Sequence, residues 1–187
     1  MYTNIYFVRH AHSTYTPDEL NRPLSVKGFK DVNLVTKLLQ NKQIDVVYAS
    51  PYRRAIQTVQ GIADYIGKEI TYEERFKERK LAEKPVADFE TGIKQVWENP
   101  NFCLKGGESN IAAQGRGVEA LIHLLEEQQS KNIVVGTHGN IMVLMMNYFD
   151  KTYGLEFWKE LQMPDIYQLS FDGTTLLAIK RIWNEHP

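Results

Sequence analysis

An arginine and two histidines follow the first apolar run of the chain. Residues 4–8 lead directly into Arg9 and His10, and His12 lies two residues further on. Arginine offers a planar fork of donors that matches phosphate oxygens, and a neutral imidazole can attack phosphorus as a nucleophile. A His-x-His pair can also present two ligands to a metal ion. This segment alone leaves two chemistries open, a phosphate site and a metal site.

Two other apolar runs end in similar polar residues. Residues 44–49 lead into a segment that contains Arg54, and residues 132–137 lead into His138. If these runs are parallel neighbouring strands, their carboxyl ends meet at one edge of the sheet, where ligands bind in open α/β folds. Two histidines and at least one arginine then share one rim. This combination favours phosphoryl transfer without a metal.

The elements that would position these residues alternate along the chain. Apolar runs predict strands over residues 4–8, 44–49, 69–72 and 132–137, and apolar residues at helical spacing predict helices between them. Ser50 and Pro51 suit the cap and first turn of a helix that stops at Gly67, and Ser109 suits the cap of a long helix. Residues 85–108 are predicted to form an irregular excursion over the domain.

The end of the chain carries a strong hairpin signal. Asp172 and Gly173 separate two apolar runs, residues 167–171 and 176–182, as in a two-residue hairpin turn. Helices between apolar strands imply a mainly parallel sheet covered on both faces. The sequence therefore predicts an α/β fold, a three-layer α/β/α sandwich with an antiparallel C-terminal element, in one domain over residues 1–187.

Composition excludes several classes of function. The formal net charge of −1 gives no global cationic field for nucleic acid or an anionic membrane. The single cysteine, Cys103, cannot form an internal disulfide and fits a reducing compartment. No apolar run reaches the length of a transmembrane helix. We expect a cytoplasmic protein that binds neither nucleic acid nor membrane.

Five segments of the chain, in order, resemble the motifs of the histidine phosphatase superfamily, which includes the cofactor-dependent phosphoglycerate mutases. One such segment is weak evidence, but five in family order are strong evidence. They are VRHA, NRPLSVKG, SPYRRAIQT, GGES and THG, at residues 8–11, 21–28, 50–58, 106–109 and 137–139.

The resemblance implies a role for each residue at the strand ends. His10 would be the residue phosphorylated during turnover. Arg9 and Arg54 would hold the phosphoryl oxygens, and His138 would donate to them as charge develops. Gly139, in the last motif, would belong to the substrate-binding residues. Neither a cofactor nor a metal ion is implied.

The resemblance also implies a general acid, usually a glutamate after the third strand. Glu78 is the candidate, and nearby alternatives are Glu73, Glu74 and Glu83. His12 stands where relatives often carry an acidic residue, so we expect it to make the substrate pocket more cationic near neutral pH. Two further histidines, His123 and His186, are interpreted as residues without a chemical role.

The expected function is hydrolysis of a small phosphate monoester through a phosphohistidine on His10. One alternative is a phosphoglycerate mutase-type phosphotransferase, although mutases of this family tend to be longer. A second alternative is a non-catalytic module that binds a phosphorylated ligand. A metal site on His10, His12 and His138 is disfavoured because arginines beside it would repel the cation.

Overall fold

A mixed sheet forms the centre of the molecule. The computed structural model describes residues 2–183, in which the strands are β1 Thr3–Arg9, β2 Val46–Ala49, β3 Ile70–Tyr72, β4 Asn132–Thr137, β5 Asp165–Asp172 and β6 Thr175–Arg181. Their spatial order is β3-β2-β4-β1-β5-β6. β1 to β4 are parallel, whereas β5 and β6 are antiparallel to their neighbours. The predicted sheet, with its antiparallel C-terminal element, is confirmed.

Helices cover both faces of the sheet. They are α1 Val26–Gln40, α2 Arg53–Ile66, α3 Phe89–Glu98, α4 Asn110–Glu127, α5 Gly139–Phe149 and α6 Leu155–Glu160, with a 3₁₀ turn at Glu74–Phe76. α1 and α2 pack on one face, and α4 and α5 pack on the other. The predicted three-layer architecture is therefore confirmed. No helix within residues 2–183 is long and apolar enough to span a bilayer.

β1 shows why the sheet has two buried faces. Ile5 and Phe7 belong to the core cluster that contains α4 and α5, whereas Tyr6 and Val8 belong to the cluster on the α1 and α2 side. Successive side chains of a strand point to opposite faces. A continuous apolar run is thus what a strand buried on both sides requires.

Several predicted helix ends are present in the structure. The Ser109 hydroxyl accepts a hydrogen bond from the backbone N–H of Ala112 (3.2 Å) and caps α4. α2 ends at Gly67, whose φ of 65° lies in the left-handed region that glycine adopts without steric cost. The predicted turn before β6 also holds, with Gly173 at φ 56°.

Two local predictions are wrong. The cap of α2 is Tyr52 rather than Ser50, so the helix begins at Arg53, two residues later than expected. Residues 85–108 are not irregular throughout, because they contain α3, which Asp88 caps by accepting from the N–H of Thr91 (3.0 Å). The histidine expected to have no chemical role in the tail, His186, lies outside the described residues.

Candidate active site

Three neighbouring strand ends bring the candidate residues together. In the register of the sheet, Arg9 of β1 pairs with Thr137 of β4, and Ala49 of β2 pairs with Gly136 of β4. The next residues along these strands, His10, Ser50 and His138, therefore leave the same edge side by side. Backbone hydrogen bonds continue the sheet by one residue, from His10 N–H to Thr137 O (3.0 Å) and from Ser50 N–H to Gly136 O (2.8 Å).

The imidazole of His10 is held by hydrogen bonds at both of its nitrogens. Its Nδ1 lies 2.8 Å from the carbonyl oxygen of Ala11, and because a carbonyl only accepts, Nδ1 carries the hydrogen. Burial, followed by the positive charge of Arg54, lowers the pKa of His10 to about 3. The ring is therefore neutral near pH 7, and the lone pair of its Nε2 accepts a hydrogen bond from Nε of Arg54 (3.3 Å).

His138 lies beside His10 at the start of α5. The two ring centroids are 5.2 Å apart, and the rings meet edge to face. Burial, together with the charges of His10 and Arg54, lowers the pKa of His138 well below its usual value. Nε2 of His138 lies 2.8 Å from the hydroxyl oxygen of Ser50. Nδ1 has no hydrogen-bond partner among residues 2–183, so its hydrogen-bonding capacity is unused there.

The Arg54 guanidinium is buried and oriented by Glu19 and Tyr52. Its Nη1 donates to the backbone oxygen of Glu19 (2.8 Å), and Nη2 lies 3.2 Å from the Glu19 carboxylate. The ring of Tyr52 lies under the guanidinium, 4.8 Å from its central carbon, in a cation–π contact. These contacts keep the positive charge next to Nε2 of His10.

Arg9 approaches the site from the other side. Its Nη1 donates to the backbone oxygens of Leu161 (2.9 Å) and Gln162 (3.1 Å), and its Nε has no partner within the described part of the chain. A β-carbon built on Gly139 would lie 3.1 Å from Nε of Arg9. Glycine at this position therefore lets the guanidinium lie against the first turn of α5.

Glu78 lies at the N-terminus of α5. One carboxylate oxygen accepts from the backbone N–H of Ile141 (3.0 Å) and of Arg79 (2.8 Å), and the other accepts from the N–H of Asn140 (3.1 Å). The second oxygen accepts one hydrogen bond and keeps a lone pair for a ligand. The helix N-terminus thus fixes the carboxyl group near Arg9 and His138.

The alternative glutamates occupy different surroundings. Glu73 forms an ion pair with Arg75 (2.8 Å), and Glu74 lies 3.8 Å from the ammonium of Lys77. Glu83 is exposed and, like Glu78, borders a cavity of about 710 Å³ beside the strand ends. Of these four carboxylates, Glu78 is the one bound at the N-terminus of the helix that follows His138.

His12 turns away from His10. Its ring is exposed, and Nδ1 lies 2.8 Å from the hydroxyl of Ser25, the cap of α1. Gly28, in the first turn of α1, explains this close approach, because a β-carbon there would lie 2.1 Å from the backbone oxygen of His12. Within residues 2–183 no three His, Cys, Asp or Glu side chains lie close enough together to hold a metal ion.

The structure adds residues to the site that the sequence analysis did not assign to it. Ser50, predicted as a helix cap, contacts His138 instead, and Glu19 pairs with Arg54. The hydroxyl of Thr58 accepts from the N–H of Ala11 (3.0 Å) and donates to the backbone oxygen of Arg54 (2.7 Å). Ser50 and Thr58 fall within the motif at residues 50–58, which is a signal for their position. No pattern in the sequence singles out Glu19.

Comparison with known proteins agrees with this geometry. Residues 5–180 match the family model of the histidine phosphatase superfamily (branch 1). The chain belongs to this superfamily. Phosphoserine phosphatase 1 of Hydrogenobacter thermophilus is 27% identical over 144 residues, which cover 70% of this chain and 68% of that protein.

Two further proteins resemble the chain over different lengths. Fructose-2,6-bisphosphatase TIGAR of Xenopus tropicalis is 28% identical over 142 residues, 66% of this chain and 52% of that protein. The chain spans about 41% to 68% of the length of the first three curated relatives that it matches. The structure of a phosphoserine phosphatase from Entamoeba histolytica, in complex with 3-phosphoglyceric acid, has the same fold (TM-score 0.81, 20% identity, 98% of both chains).

Proposed function

We propose that the protein hydrolyses small phosphate monoesters through a phosphohistidine on His10. The observation that carries this proposal is the state of the His10 ring: its Nδ1 hydrogen is bound to Ala11 O, and its Nε2 lone pair points to the Arg54 guanidinium, from which it accepts a long hydrogen bond. A neutral buried imidazole beside a guanidinium is a nucleophile next to an anion site. The phosphatases among the relatives and solved structures support the same activity.

The reaction has two steps. In the first, Nε2 of His10 attacks phosphorus in line with the leaving oxygen, so that an N–P bond forms as the P–O ester bond breaks. In the second, water attacks the phosphohistidine, the N–P bond breaks, and inorganic phosphate leaves. His10 returns to its neutral form, and neither step requires a cofactor or a metal ion.

Three side chains would stabilise the transferring phosphoryl group. The Arg54 and Arg9 guanidiniums would bind its equatorial oxygens from two sides, because one lies at Nε2 of His10 and the other at Gly139. His138 would donate from Nδ1, the nitrogen without a partner within residues 2–183. Donors fixed before the reaction stabilise developing charge without the cost of reorienting water.

Glu78 would move the protons. In its protonated form it would donate to the leaving alkoxide, and as a carboxylate it would then take a proton from the attacking water, so one group serves as acid and then base. Its position at the N-terminus of α5, which begins directly after His138, places it on the cavity side of the site. We propose this role for Glu78 rather than for Glu73, Glu74 or Glu83.

His12 would influence the site through its charge. Its exposed ring lies on Ser25, one residue beyond Ala11. In its positively charged form the ring would attract an anionic substrate and tighten binding. The variant His12→Asn should therefore raise KM and leave kcat nearly unchanged. An unchanged KM would assign His12 to the surface.

Phosphate release from a panel of monoesters tests the proposed activity. The purified protein should hydrolyse p-nitrophenyl phosphate and 3-phosphoglycerate in the presence of a strong chelator. If no ester in the panel releases phosphate, the protein is a binding module. If chelation abolishes turnover and zinc restores it, the metal site is correct. Transfer of phosphate to a second hydroxyl, rather than to water, would identify a mutase.

A further inference from the structure

A second cavity, of about 500 Å³, is lined by residues of four helices, α3 to α6. Small-molecule sites in proteins typically have volumes of about 300 to 1,000 Å³. None of the described residues that line this cavity belongs to the candidate active site. α5 begins at the active site with Gly139 and reaches the cavity wall with Asn147, about 12 Å further along the helix axis. The cavity is therefore separate from the strand ends that carry the proposed chemistry.

Asn110, the first residue of α4, contributes an unpaired amide to this cavity. The residue is 2% exposed, and neither its amide nitrogen nor its amide oxygen has a hydrogen-bond partner among residues 2–183. Gln114, on the same wall, is engaged, because its amide nitrogen donates to the backbone oxygen of Leu144 (2.8 Å) and to Oδ1 of Asn147 (3.2 Å). Buried polar side chains are normally hydrogen-bonded, since an unpaired one costs free energy. A donor and an acceptor on one side chain thus remain available for a ligand.

Trp97 adds an aromatic wall and a second donor. Its Nε1 is buried and has no acceptor within the described part of the chain, and an indole N–H can only donate. Apolar side chains complete the walls, among them Ile111, Leu144 and Leu155. The charged residues that line the cavity are Glu98 and Lys151, whose opposite charges cancel. Apolar walls with a few polar groups and no net charge suit a neutral, planar ligand.

The Asn110 amide indicates which groups that ligand carries. An amide that offers N–H and C=O side by side pairs with a ring that has a donor next to an acceptor. Asparagine forms this pair with the amino group and the adjacent ring nitrogen of adenine in DNA. We propose that the cavity binds a neutral, amino-substituted nitrogen heterocycle, such as the adenine of a nucleoside. Asn110 pairs with its amino edge, and the N–H of Trp97 donates to another ring nitrogen.

A matched pair of nucleosides tests the site. Adenosine and purine riboside differ only in the exocyclic amino group, which a hydrogen replaces in purine riboside. Calorimetric titration of wild type should show that adenosine binds about tenfold more tightly, because purine riboside leaves the buried amide oxygen of Asn110 unpaired. No binding of adenosine at millimolar concentration, or equal affinity for the two nucleosides, would overturn the proposal.

Variants of the two unpaired residues assign the contacts. Asn110→Leu removes the amide and should abolish the preference for adenosine, whereas Trp97→Phe keeps an aromatic ring and should weaken both nucleosides alike, by about tenfold. Glu98→Gln changes only a charge at the cavity and should keep adenosine affinity within about twofold of wild type, because the ligand is neutral. Thermal unfolding followed by circular dichroism shows that each variant is folded. A folded Asn110→Leu that keeps the preference, or wild-type affinity in Trp97→Phe, contradicts the assignment.

Two further titrations show that adenosine binds outside the candidate active site. His10→Ala should bind adenosine with wild-type affinity, and an excess of inorganic phosphate should not displace adenosine from wild type. Loss of binding in His10→Ala, or displacement by phosphate, would place adenosine at the strand ends and overturn the proposal. The result does not depend on the proposed phosphatase activity, because adenosine carries no phosphate and binding is measured without turnover.

Discussion

The hydroxyl oxygen of Ser50 lies 2.8 Å from Nε2 of His138 and also accepts a hydrogen bond from the backbone N–H of Tyr52 (3.3 Å). Because the Tyr52 N–H uses a lone pair of Ser50, the Ser50 hydroxyl hydrogen can be directed at Nε2 of His138. Neutral His138 then carries its own hydrogen on Nδ1. We therefore expect Ser50 to favour the tautomer in which the hydrogen of His138 lies on Nδ1.

Removal of this hydroxyl should weaken catalysis through His138. We expect Ser50→Ala to lower kcat by about tenfold, the value of one hydrogen bond of this kind. In a His138→Ala background the same change should have little further effect, because the two residues act as a unit. Steady-state kinetics of both single variants and the double variant measure this coupling. Additive losses would show that Ser50 acts independently of His138.

The low pKa of His10 predicts a specific pH dependence of stability. His10 titrates near 3 in the folded protein and near 6.5 when unfolded. Between these values the unfolded state binds more protons, so stability falls as pH decreases. From pH 7.5 to pH 5, His10 alone should reduce the free energy of unfolding by about 2 kcal/mol.

Urea denaturation of wild type and His10→Asn, in buffers without phosphate, measures this contribution. The variant should lose less stability over the same pH interval, since asparagine does not titrate. Parallel curves for the two proteins would mean that His10 is not held neutral by burial.

Gly139 should be required for the position of Arg9. A methyl group there would lie 3.1 Å from Nε and 3.2 Å from the central carbon of the Arg9 guanidinium. We expect Gly139→Ala to raise KM by about tenfold, because Arg9 must move from its place against the first turn of α5 and would no longer be positioned to bind the proposed phosphate. Gly115→Ala is the matched control: in α4, a β-carbon at Gly115 meets no atom within 4 Å. Gly115→Ala should keep the wild-type KM. If Gly139→Ala also keeps the wild-type KM, Arg9 does not take part in substrate binding.

The loss of activity caused by replacing Glu78 should depend on the leaving group of the substrate. Glu78→Gln should lower kcat/KM for an alkyl phosphate by about 100-fold and for p-nitrophenyl phosphate by far less, because a phenolate leaves without a proton. The ratio of the two losses, measured at one pH, is the test. The control is Glu73→Gln, because the carboxylate of Glu73 pairs with Arg75 and not with the site. Equal losses on the two substrates in Glu78→Gln would assign the acid role to another group.

Much of the fold was predictable because its signals are local. Residues 132–137, a short apolar run between polar residues, coincide with β4, and Gly67 ends α2 at the expected residue. α3 was missed because residues 85–108 contain prolines, glycines and mixed charges, and its start depends on the cap of one residue, Asp88. α6 has no sequence signal of this kind, because it is only six residues long and Gly154 before it offers no side-chain cap.

The site was predictable to the level of its motifs. His10 and His138 follow strands that the sequence predicts, and the sheet register brings them together. The sequence predicts Ser50 as a helix cap because serine before proline suits a helix start. Its contact with His138 is not visible in the sequence, because the two residues are 88 positions apart and only the sheet brings them together.

The central claim is a covalent phosphohistidine on His10, and trapping this species tests it most directly. The enzyme is mixed with an excess of p-nitrophenyl phosphate, quenched within milliseconds at alkaline pH, where phosphohistidine survives, and analysed by mass spectrometry of its peptides. The account predicts one phosphoryl group on the peptide that contains His10, absent in His10→Ala and enriched in Glu78→Gln, which releases it slowly. Two results would contradict this account: release of phosphate by wild type without a phosphorylated His10 peptide, or full activity in His10→Ala.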